Sequence, residues 1–303
     1  MDPIVKPPID QVCFVDTETF STIDIKEAGT VKYAENAELL LAGFYLKGMY
    51  TDYDFSTPGD TIPPEIIAHA ENGGWFAAHN ALFDYLVLKP HIPCLKVDQM
   101  IDTMAWCGAA GLPLGLEKAG FHLDIPADVQ KLKDGKRLVM KFCTPRKPSK
   151  HNPSIRVMPE DAPEDWEIFR DEYLANDVMG MVELYERLPG LTAFEQQVWV
   201  DTQKVNLDGI PVDLPTVDLI RTKLDKLVDE ESSKFIRLTG LFPTQRDRVL
   251  GWVRKQGVKI TNMQAATIDK ALADPETPQI VRDALEARAN TTHISFKKYD
   301  KMA

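Results

Sequence analysis

Short apolar runs alternate with turn signals in the first part of the chain. Such runs are typical of strands, and proline starts followed by glycine stops are typical of helices. The pattern predicts, in chain order, strands at 12–19, 37–46 and 49–55, a helix at 64–70, a strand at 75–79 and a helix at 80–88. Because it combines a hairpin around Gly48 with a later crossover, it predicts an α/β fold, a mixed sheet flanked by helices.

The remainder of the chain has a mostly helical pattern. Pro163 starts a long predicted helix that ends at Leu188, and acidic residues fill its first turn. Pro189-Gly190 interrupts the pattern, which predicts a domain boundary between residues 1–189 and 190–303. Beyond the boundary, apolar spacing predicts helices at 192–207, 215–238, 244–256 and 280–289.

Composition excludes several classes of protein. Of the 303 residues 44% are apolar, which suits a packed core, and no apolar run is long enough to span a membrane. The N-terminus has no apolar signal core, and the four cysteines are too scattered for a zinc site. We therefore expect reduced thiols, a cytoplasmic location and no membrane partner. The net charge of −11 argues against general coating of DNA but permits a local basic stripe.

Two acidic residues end the first predicted strand. Asp16 and Glu18 are separated by one residue, and strand side chains alternate, so both carboxylates point to the same side. Like charges this close repel each other unless a cation lies between them, and a hard divalent cation suits oxygen ligands. The alternative is two ordinary acids at a solvated strand end. The pair indicates a metal site only if other elements supply further ligands.

Later acids could join this pair. Asp84 lies one turn into the helix that Asn80 opens, where either an ordinary surface role or a position facing the first strand is possible. Asp102 precedes an apolar helix, so we interpret it as a cap, with a role in the site as the alternative. Tyr173 and Asp177 are four residues apart and share a helix face. Taken alone, that pair is typical of an amphipathic surface.

The stretch 131–150 carries eight basic residues and one acid, a net charge of +7 in an otherwise acidic chain. Phosphate binding concentrates lysine and arginine in this way, whereas a solvated charge run is the ordinary alternative. The stretch lies between the Asp84 and Tyr173 helices, which favours contact with a DNA backbone beside the site; Lys297 and Lys298 are the next candidates. The predicted DNA contacts in it are Lys131, Lys133, Lys136, Arg137, Lys141 and Arg146.

The acidic motifs, taken in this order, resemble the proofreading 3′→5′ exonuclease domains of the DEDD superfamily, in their tyrosine variant. The matching residues are Asp16-Thr17-Glu18, Asn80-x-x-Phe83-Asp84 and Tyr173-x-x-x-Asp177. The segments 195–213 and 285–299 are similar to family A DNA polymerases of phages and bacteria. This resemblance implies a ribonuclease H-like sheet, followed by the exonuclease–polymerase connection and the start of the thumb.

The resemblance also implies a role for each matched residue. Asp16, Glu18 and Asp177 would hold one Mg²⁺ or Mn²⁺, and Asp16 with Asp84 a second. Tyr173 would orient the attacking water, because a phenol with an ordinary pKa of about 10 is a poor base. Asn80 and Phe83 would contact DNA. The expected reaction is stepwise release of 5′-nucleotides from a single-stranded or frayed 3′ end.

Two other functions stay open at this stage. One is a DNA-clamping or assembly module with an inert exonuclease fold, and the other is an RNA-trimming enzyme of the same superfamily. The sequence ends at Ala303, where a family A polymerase continues into palm and fingers. We therefore expect no polymerase activity from this chain alone, and a palm-and-fingers partner in the same or a separate chain.

Overall fold

A five-stranded mixed sheet organises the first part of the chain. The computed structural model describes residues 2–126, 135–149, 153–291 and 297–302. The strands are β1 (Ile4–Val5), β2 (Val12–Phe20), β3 (Glu38–Leu46), β4 (Met49–Asp54), β5 (Trp75–Ala78), β6 (Met100–Asp102) and β7 (Leu191–Thr192). The sheet has the order β4-β3-β2-β5-β6, with β2, β5 and β6 parallel and the other pairs antiparallel. The predicted mixed sheet is confirmed, and β1 pairs separately with β7.

Helices cover both faces of this sheet. They are α1 (Ile25–Ala28), α2 (Thr30–Glu35), α3 (Pro64–Glu71), α4 (Ala81–Leu88), α5 (Thr103–Ala109), α6 (Leu116–His122), α7 (Gly135–Phe142), α8 (Pro163–Ile168), α9 (Ala175–Arg187) and α10 (Ala193–Asp208). The helices predicted at 64–70 and 80–88 are confirmed as α3 and α4. Helix α7 forms within the basic stretch, where the sequence analysis predicted no element.

Strand β2 lies at the centre of the sheet, and its alternation decides which layer each side chain meets. Cys13 and Val15 pack with α3 and α4 on one face, whereas Phe14 packs with α5 and α9 on the other. Asp16 and Glu18 continue the Phe14 face because side chains alternate along a strand. The two carboxylates therefore point toward the layer that contains α9.

A glycine and a bulge in the pairing of β2 with β3 lie next to Asp16 and Glu18. Asp16 pairs with Gly43, and the register shifts between Glu18 and Thr19, which marks a β-bulge. A Cβ on Gly43 would lie 3.0 Å from Cγ of Leu174. Glycine at this position therefore lets the helical layer approach the sheet closely.

The long helix predicted at 163–188 is interrupted by a π-helical turn. Helix α8 ends at Ile168, the π-helical segment covers Phe169–Leu174, and α9 follows. The prediction of one uninterrupted α-helix is corrected on this point. π-Helical turns insert an extra residue and are frequent at functional sites. Tyr173 lies in this segment and Asp177 lies in the first turn of α9.

The chain divides into two compact units, of which Met1–Gly209 is the first and Ile210–Ala303 is the second. The helices of the second unit are α11 (Leu214–Thr239), α12 (Arg246–Lys255), α13 (Ala265–Ala273), α14 (Gln279–Thr291) and α15 (Lys297–Met302). They enclose a core that includes Phe235, Val249 and Leu285. The three helices predicted here are confirmed as α11, α12 and α14, and α13 and α15 are additions. The mostly helical character predicted for this part of the chain is also confirmed.

The division between the units follows α10 and does not coincide with the break at Pro189-Gly190. Thr192 caps α10 through a hydrogen bond that its side chain accepts from the backbone N–H of Glu195. The helix packs against β1 and β7, so it belongs to the first unit. Among the described residues, no helix combines the length and apolar content that a membrane crossing requires.

Candidate metal centre

Three carboxylates from β2 and α9 converge on one face of the sheet. Asp16 and Glu18 project from β2, and Asp177 lies in the first turn of α9, which packs against that strand. One oxygen atom from each residue lies within 4.8 Å of the other two. Glu18 and Asp177 are buried and Asp16 is half-buried. Three negative charges this close are unfavourable away from water unless a cation offsets them.

This donor set fits a hard divalent cation. The cluster offers carboxylate oxygen atoms only, which suit Mg²⁺ or Mn²⁺ better than a soft metal. The close spacing of the three oxygen atoms allows one ion to contact all of them. The sequence analysis predicted these three residues as ligands of one ion, and the structure brings all three together.

The hydroxyl of Tyr173 belongs to the same cluster. It donates a hydrogen bond to the carboxylate of Asp177. Burial raises the pKa of Tyr173, and the charges of Asp177, Glu18 and Asp16 raise it further. The phenol is therefore neutral near pH 7 and acts as a hydrogen-bond donor and acceptor. This agrees with the prediction that Tyr173 is not an ionised base.

The ring of Tyr173 is held by close packing. It stacks on Phe169 with ring centroids 5.4 Å apart. On another side it meets the first residue of α7, and a Cβ on Gly135 would overlap the Tyr173 ring. Only glycine fits at position 135 without displacing the tyrosine. Helix α7 therefore limits where the Tyr173 hydroxyl can lie.

Cys143, the residue that follows α7, contacts Glu18. The Sγ of Cys143 donates a hydrogen bond to Oε2 of Glu18 at 3.4 Å and accepts one from the backbone N–H of Thr19. Burial raises the pKa of the Cys143 thiol, and the Glu18 carboxylate raises it further. The thiol therefore keeps its proton and remains a donor. The sequence analysis missed this residue.

Asp84 approaches β2 by a different contact. The hydroxyl of Thr17 donates a hydrogen bond to Oδ1 of Asp84 at 2.7 Å, and Thr17 lies between the two acids of β2. Asp84 is only 2% exposed. Burial raises its pKa to about 7, although the Thr17 hydrogen bond opposes this shift and nearby Asp102 adds to it. Within the described residues, the group of three converging carboxylates does not include Asp84.

Asn80 and Asp102 are linked at the ends of β5 and β6. Asn80 has a left-handed backbone with φ 73°, and its side chain makes no capping hydrogen bond. Asn80 therefore occupies the predicted N-cap position before α4, but its left-handed backbone does not give the usual capping hydrogen bond of the side chain, which needs an extended backbone. Instead its N–H donates to Oδ1 of Asp102, which also accepts from the N–H of Met104. The prediction of Asp102 as a helix cap is confirmed.

Two of the predicted DNA contacts are engaged within the protein. Arg137 donates two hydrogen bonds to Asp165, at 2.8 and 3.0 Å, and Nζ of Lys141 lies 2.5 Å from the same carboxylate. These ion pairs hold α7 against α8. The predicted contacts Lys131 and Lys133 lie outside the described residues.

A pocket of about 730 Å³ lies beside Tyr173 and contains Lys136. Lys118, Leu114 and Met140 also line it, and all three are exposed. Lys136 is thus a predicted basic residue that lines the same pocket as Tyr173. The sequence analysis missed Lys118.

Of the remaining predicted DNA contacts, Arg146 and Phe83 contact other residues of the chain, whereas the side chain of Asn80 is exposed. Nε of Arg146 donates to the carbonyl of Ser154 at 2.9 Å. Phe83 is half-buried against the core, with its ring 5.9 Å from that of Tyr33. The Asn80 side chain is exposed at the end of β5.

The sequence was also compared with known proteins. No protein-family model matches the sequence. The chain is 28% identical to the DNA polymerase of Bacillus phage SP02, in an alignment that covers 94% of this chain and 45% of that protein. The chain thus spans less than half the length of that relative. Its carboxylate cluster lies in a sequence that is similar, over nearly its whole length, to part of a phage DNA polymerase.

Proposed function

We propose that the chain is a metal-dependent 3′→5′ DNA exonuclease associated with a DNA polymerase, in which it removes mispaired 3′ ends. The convergence of Asp16, Glu18 and Asp177, with Tyr173 hydrogen-bonded to Asp177, carries this proposal. Similarity to a phage DNA polymerase supports the association with replication. In this proposal the first unit is a ribonuclease H-like domain of the DEDD superfamily, tyrosine variant. Residues 190–303 are the connection to the polymerase and the start of its thumb.

The proposed cofactors are two divalent ions, Mg²⁺ or Mn²⁺. Asp16, Glu18 and Asp177 would hold one, and Asp16 with Asp84, largely through water, the other. When bound, such ions stabilise negative charge on the attacking and leaving oxygen atoms and lower the pKa of a water molecule. The carboxyl of Asp84 has to lose its proton for this role. Because burial raises the pKa of Asp84 in the metal-free protein, binding of the second ion would release a proton and would weaken as pH falls.

Tyr173 has the geometry to orient the attacking water. Its hydroxyl donates its proton to Asp177, and in this proposal a lone pair of the same oxygen accepts a hydrogen bond from the water. The water oxygen then bonds to phosphorus as the bond from phosphorus to the 3′ oxygen of the preceding nucleotide breaks. The water proton ultimately balances the charge on that leaving oxygen. The products are a nucleoside 5′-monophosphate and a strand shortened by one nucleotide.

The pocket beside Tyr173 offers a route for the 3′ end. Exposed Leu114 and Met140 provide apolar surface for unstacked bases, and Lys118 and Lys136 provide charge for the phosphates. Arg137 and Lys141 can reach a phosphate only in competition with Asp165. The two pocket lysines are therefore the better proposed contacts within the described residues.

Replacing both pocket lysines is expected to weaken DNA binding through its salt-dependent part. In Lys118→Ala/Lys136→Ala, the slope of log affinity against log salt concentration becomes shallower by about 0.7 for each lost phosphate contact. Turnover at saturating DNA stays close to the wild-type value because neither lysine touches the carboxylates. Fluorescence anisotropy of a labelled single strand at several salt concentrations measures the slope.

Lys96→Ala is the matched control for this charge change. Lys96 is exposed and precedes β6, so it lies at the opposite end of the parallel strands from the carboxylates. The control is expected to leave the slope unchanged. An unchanged slope in the double variant as well would mean that the pocket lysines are only solvated.

The test of the proposed function is digestion of a single-stranded DNA oligonucleotide by the purified chain with Mg²⁺. A label on the 3′ nucleotide is expected to appear as a free 5′-monophosphate, and EDTA should stop its release until Mg²⁺ or Mn²⁺ is restored in excess. A matched RNA oligonucleotide separates the alternatives. Faster digestion of RNA would assign the chain to RNA trimming. DNA binding without hydrolysis in either metal would assign it to an inert module.

The proposed partners are DNA and the palm and fingers of a polymerase, in the same or a separate chain. The length of the phage relative supports this part of the proposal, because that DNA polymerase is more than twice as long as the matched region. No nucleotide incorporation is expected from residues 1–303 alone. A replication role would place the protein in the cytoplasm of the cell that replicates the DNA.

A further inference from the structure

The sulfur of Cys143 lies at the point where β2 bulges. The register between β2 and β3 shifts between Glu18 and Thr19, and bulges of this kind re-aim the neighbouring side chain. The Cys143 sulfur contacts both residues of the bulge, since it accepts the N–H of Thr19 and donates to Oε2 of Glu18. The side chain of the residue that follows α7 therefore bonds both the backbone of Thr19 and the carboxylate of Glu18.

Cys143 itself is held in place. Its backbone N–H donates to the carbonyl of Val139 at 2.8 Å, and its side chain packs with Phe20, Leu41 and Phe142. It is only 7% exposed. The hydrogen bond from Cys143 is made to Oε2 of Glu18 and not to Oε1. The thiol therefore restricts the rotation of the carboxylate without covering all of its oxygen atoms.

We propose that Cys143 is a positioning residue that fixes the Glu18 carboxylate for metal binding. This inference rests on the proposed metal centre and assigns a role to a side chain that is not a ligand. Groups that orient metal ligands in this way affect metal affinity by about 10- to 100-fold when removed. Because a thiol is a weak donor, the lower end of that range is the expected effect here.

The experiment is Mn²⁺ binding to the full chain without DNA, measured by electron paramagnetic resonance or calorimetry. Cys143→Val keeps apolar volume at this position but removes the hydrogen-bond donor, and Cys143→Ala removes both the volume and the donor. Both are expected to bind Mn²⁺ about tenfold more weakly. Cys143→Ser keeps a donor and an acceptor, so it should stay within about threefold of the wild type. The metal concentration for half-maximal DNA digestion should shift in parallel, with turnover restored at high metal concentration.

The outcomes separate this inference from the function on which it rests. Wild-type Mn²⁺ affinity in both Val and Ala variants would overturn the role of Cys143 and leave the metal centre intact. Equal weakening in all three variants would also overturn it, because only packing around the sulfur would then matter. Absence of Mn²⁺ binding by the wild type would overturn the metal centre itself and the positioning role with it.

Discussion

Replacing Asp16 by alanine is expected to lower DNA digestion at least 1000-fold, to the order of ~4 kcal/mol of lost transition-state stabilisation. Asp16 is the carboxylate that the proposal assigns to both ions, so its loss affects each of them. The fold should persist, because Asp16 is half-buried and its removal relieves repulsion with Glu18 and Asp177. Release of the labelled 3′ nucleotide with Mg²⁺ measures the loss, and thermal unfolding without metal measures stability.

The matched control is Asp10→Ala, the same substitution on an exposed aspartate that precedes β2 at its other end. The control should digest DNA at the wild-type rate and unfold at a similar temperature. Full activity in Asp16→Ala would remove the carboxylate cluster from the mechanism. Loss of activity together with loss of the fold would be resolved by Asp16→Asn, which keeps the shape of the side chain.

The sequence was sufficient to predict the strands and the shared face of Asp16 and Glu18, because both follow from local rules. Alternation of side chains along β2 places Asp16 and Glu18 on one face, and this does not depend on tertiary contacts. The four-residue spacing predicts that Tyr173 and Asp177 share a face, and their hydrogen bond in the structure agrees with it. The mixed sheet also follows from the order of hairpin and crossover.

The features that the sequence did not reveal depend on tertiary contacts. A lone cysteine carries no signal of its role, and Cys143 meets Glu18 only because α7 packs beside β2. Likewise, the sequence of a basic run does not show whether its charges bind phosphate or pair with acids of the same chain. Arg137 and Lys141 pair with Asp165. The apolar period could not reveal the π-helical turn at Phe169–Leu174, since one extra residue barely changes the pattern.

Replacing Asp84 by asparagine is expected to stabilise the metal-free protein at pH 8 while lowering its activity. Burial raises the pKa of Asp84 to about 7, above the ordinary value of 3.8 that an unfolded chain would show. Between these two pH values the folded carboxyl keeps a proton that the unfolded one has lost. Stability therefore falls as pH rises from about 4 to about 7, and the whole penalty persists above pH 7. The upper bound of this loss in the free energy of unfolding is about 4 kcal/mol.

Asparagine removes this penalty without changing the shape of the side chain. Its amide oxygen can still accept the hydrogen bond from Thr17, but it carries no charge at any pH. Urea unfolding should therefore show a gain in stability for Asp84→Asn at pH 8 and little difference at pH 3, where the carboxyl is neutral in both the folded and the unfolded chain. Asp60→Asn, at an exposed aspartate, should show no such dependence on pH.

Asp84→Asn is expected to raise the stability of the protein and to lower its activity, and these opposite changes make the variant informative. A carboxylate kept in a buried position at a cost to stability is expected where its charge is needed for function. DNA digestion by Asp84→Asn should fall by about 100-fold or more if Asp84 supports the second ion. Equal destabilisation of the variant at both pH values would show that the charged form is already well accommodated. Wild-type digestion at pH 8 would confine Asp84 to a structural role beside Thr17.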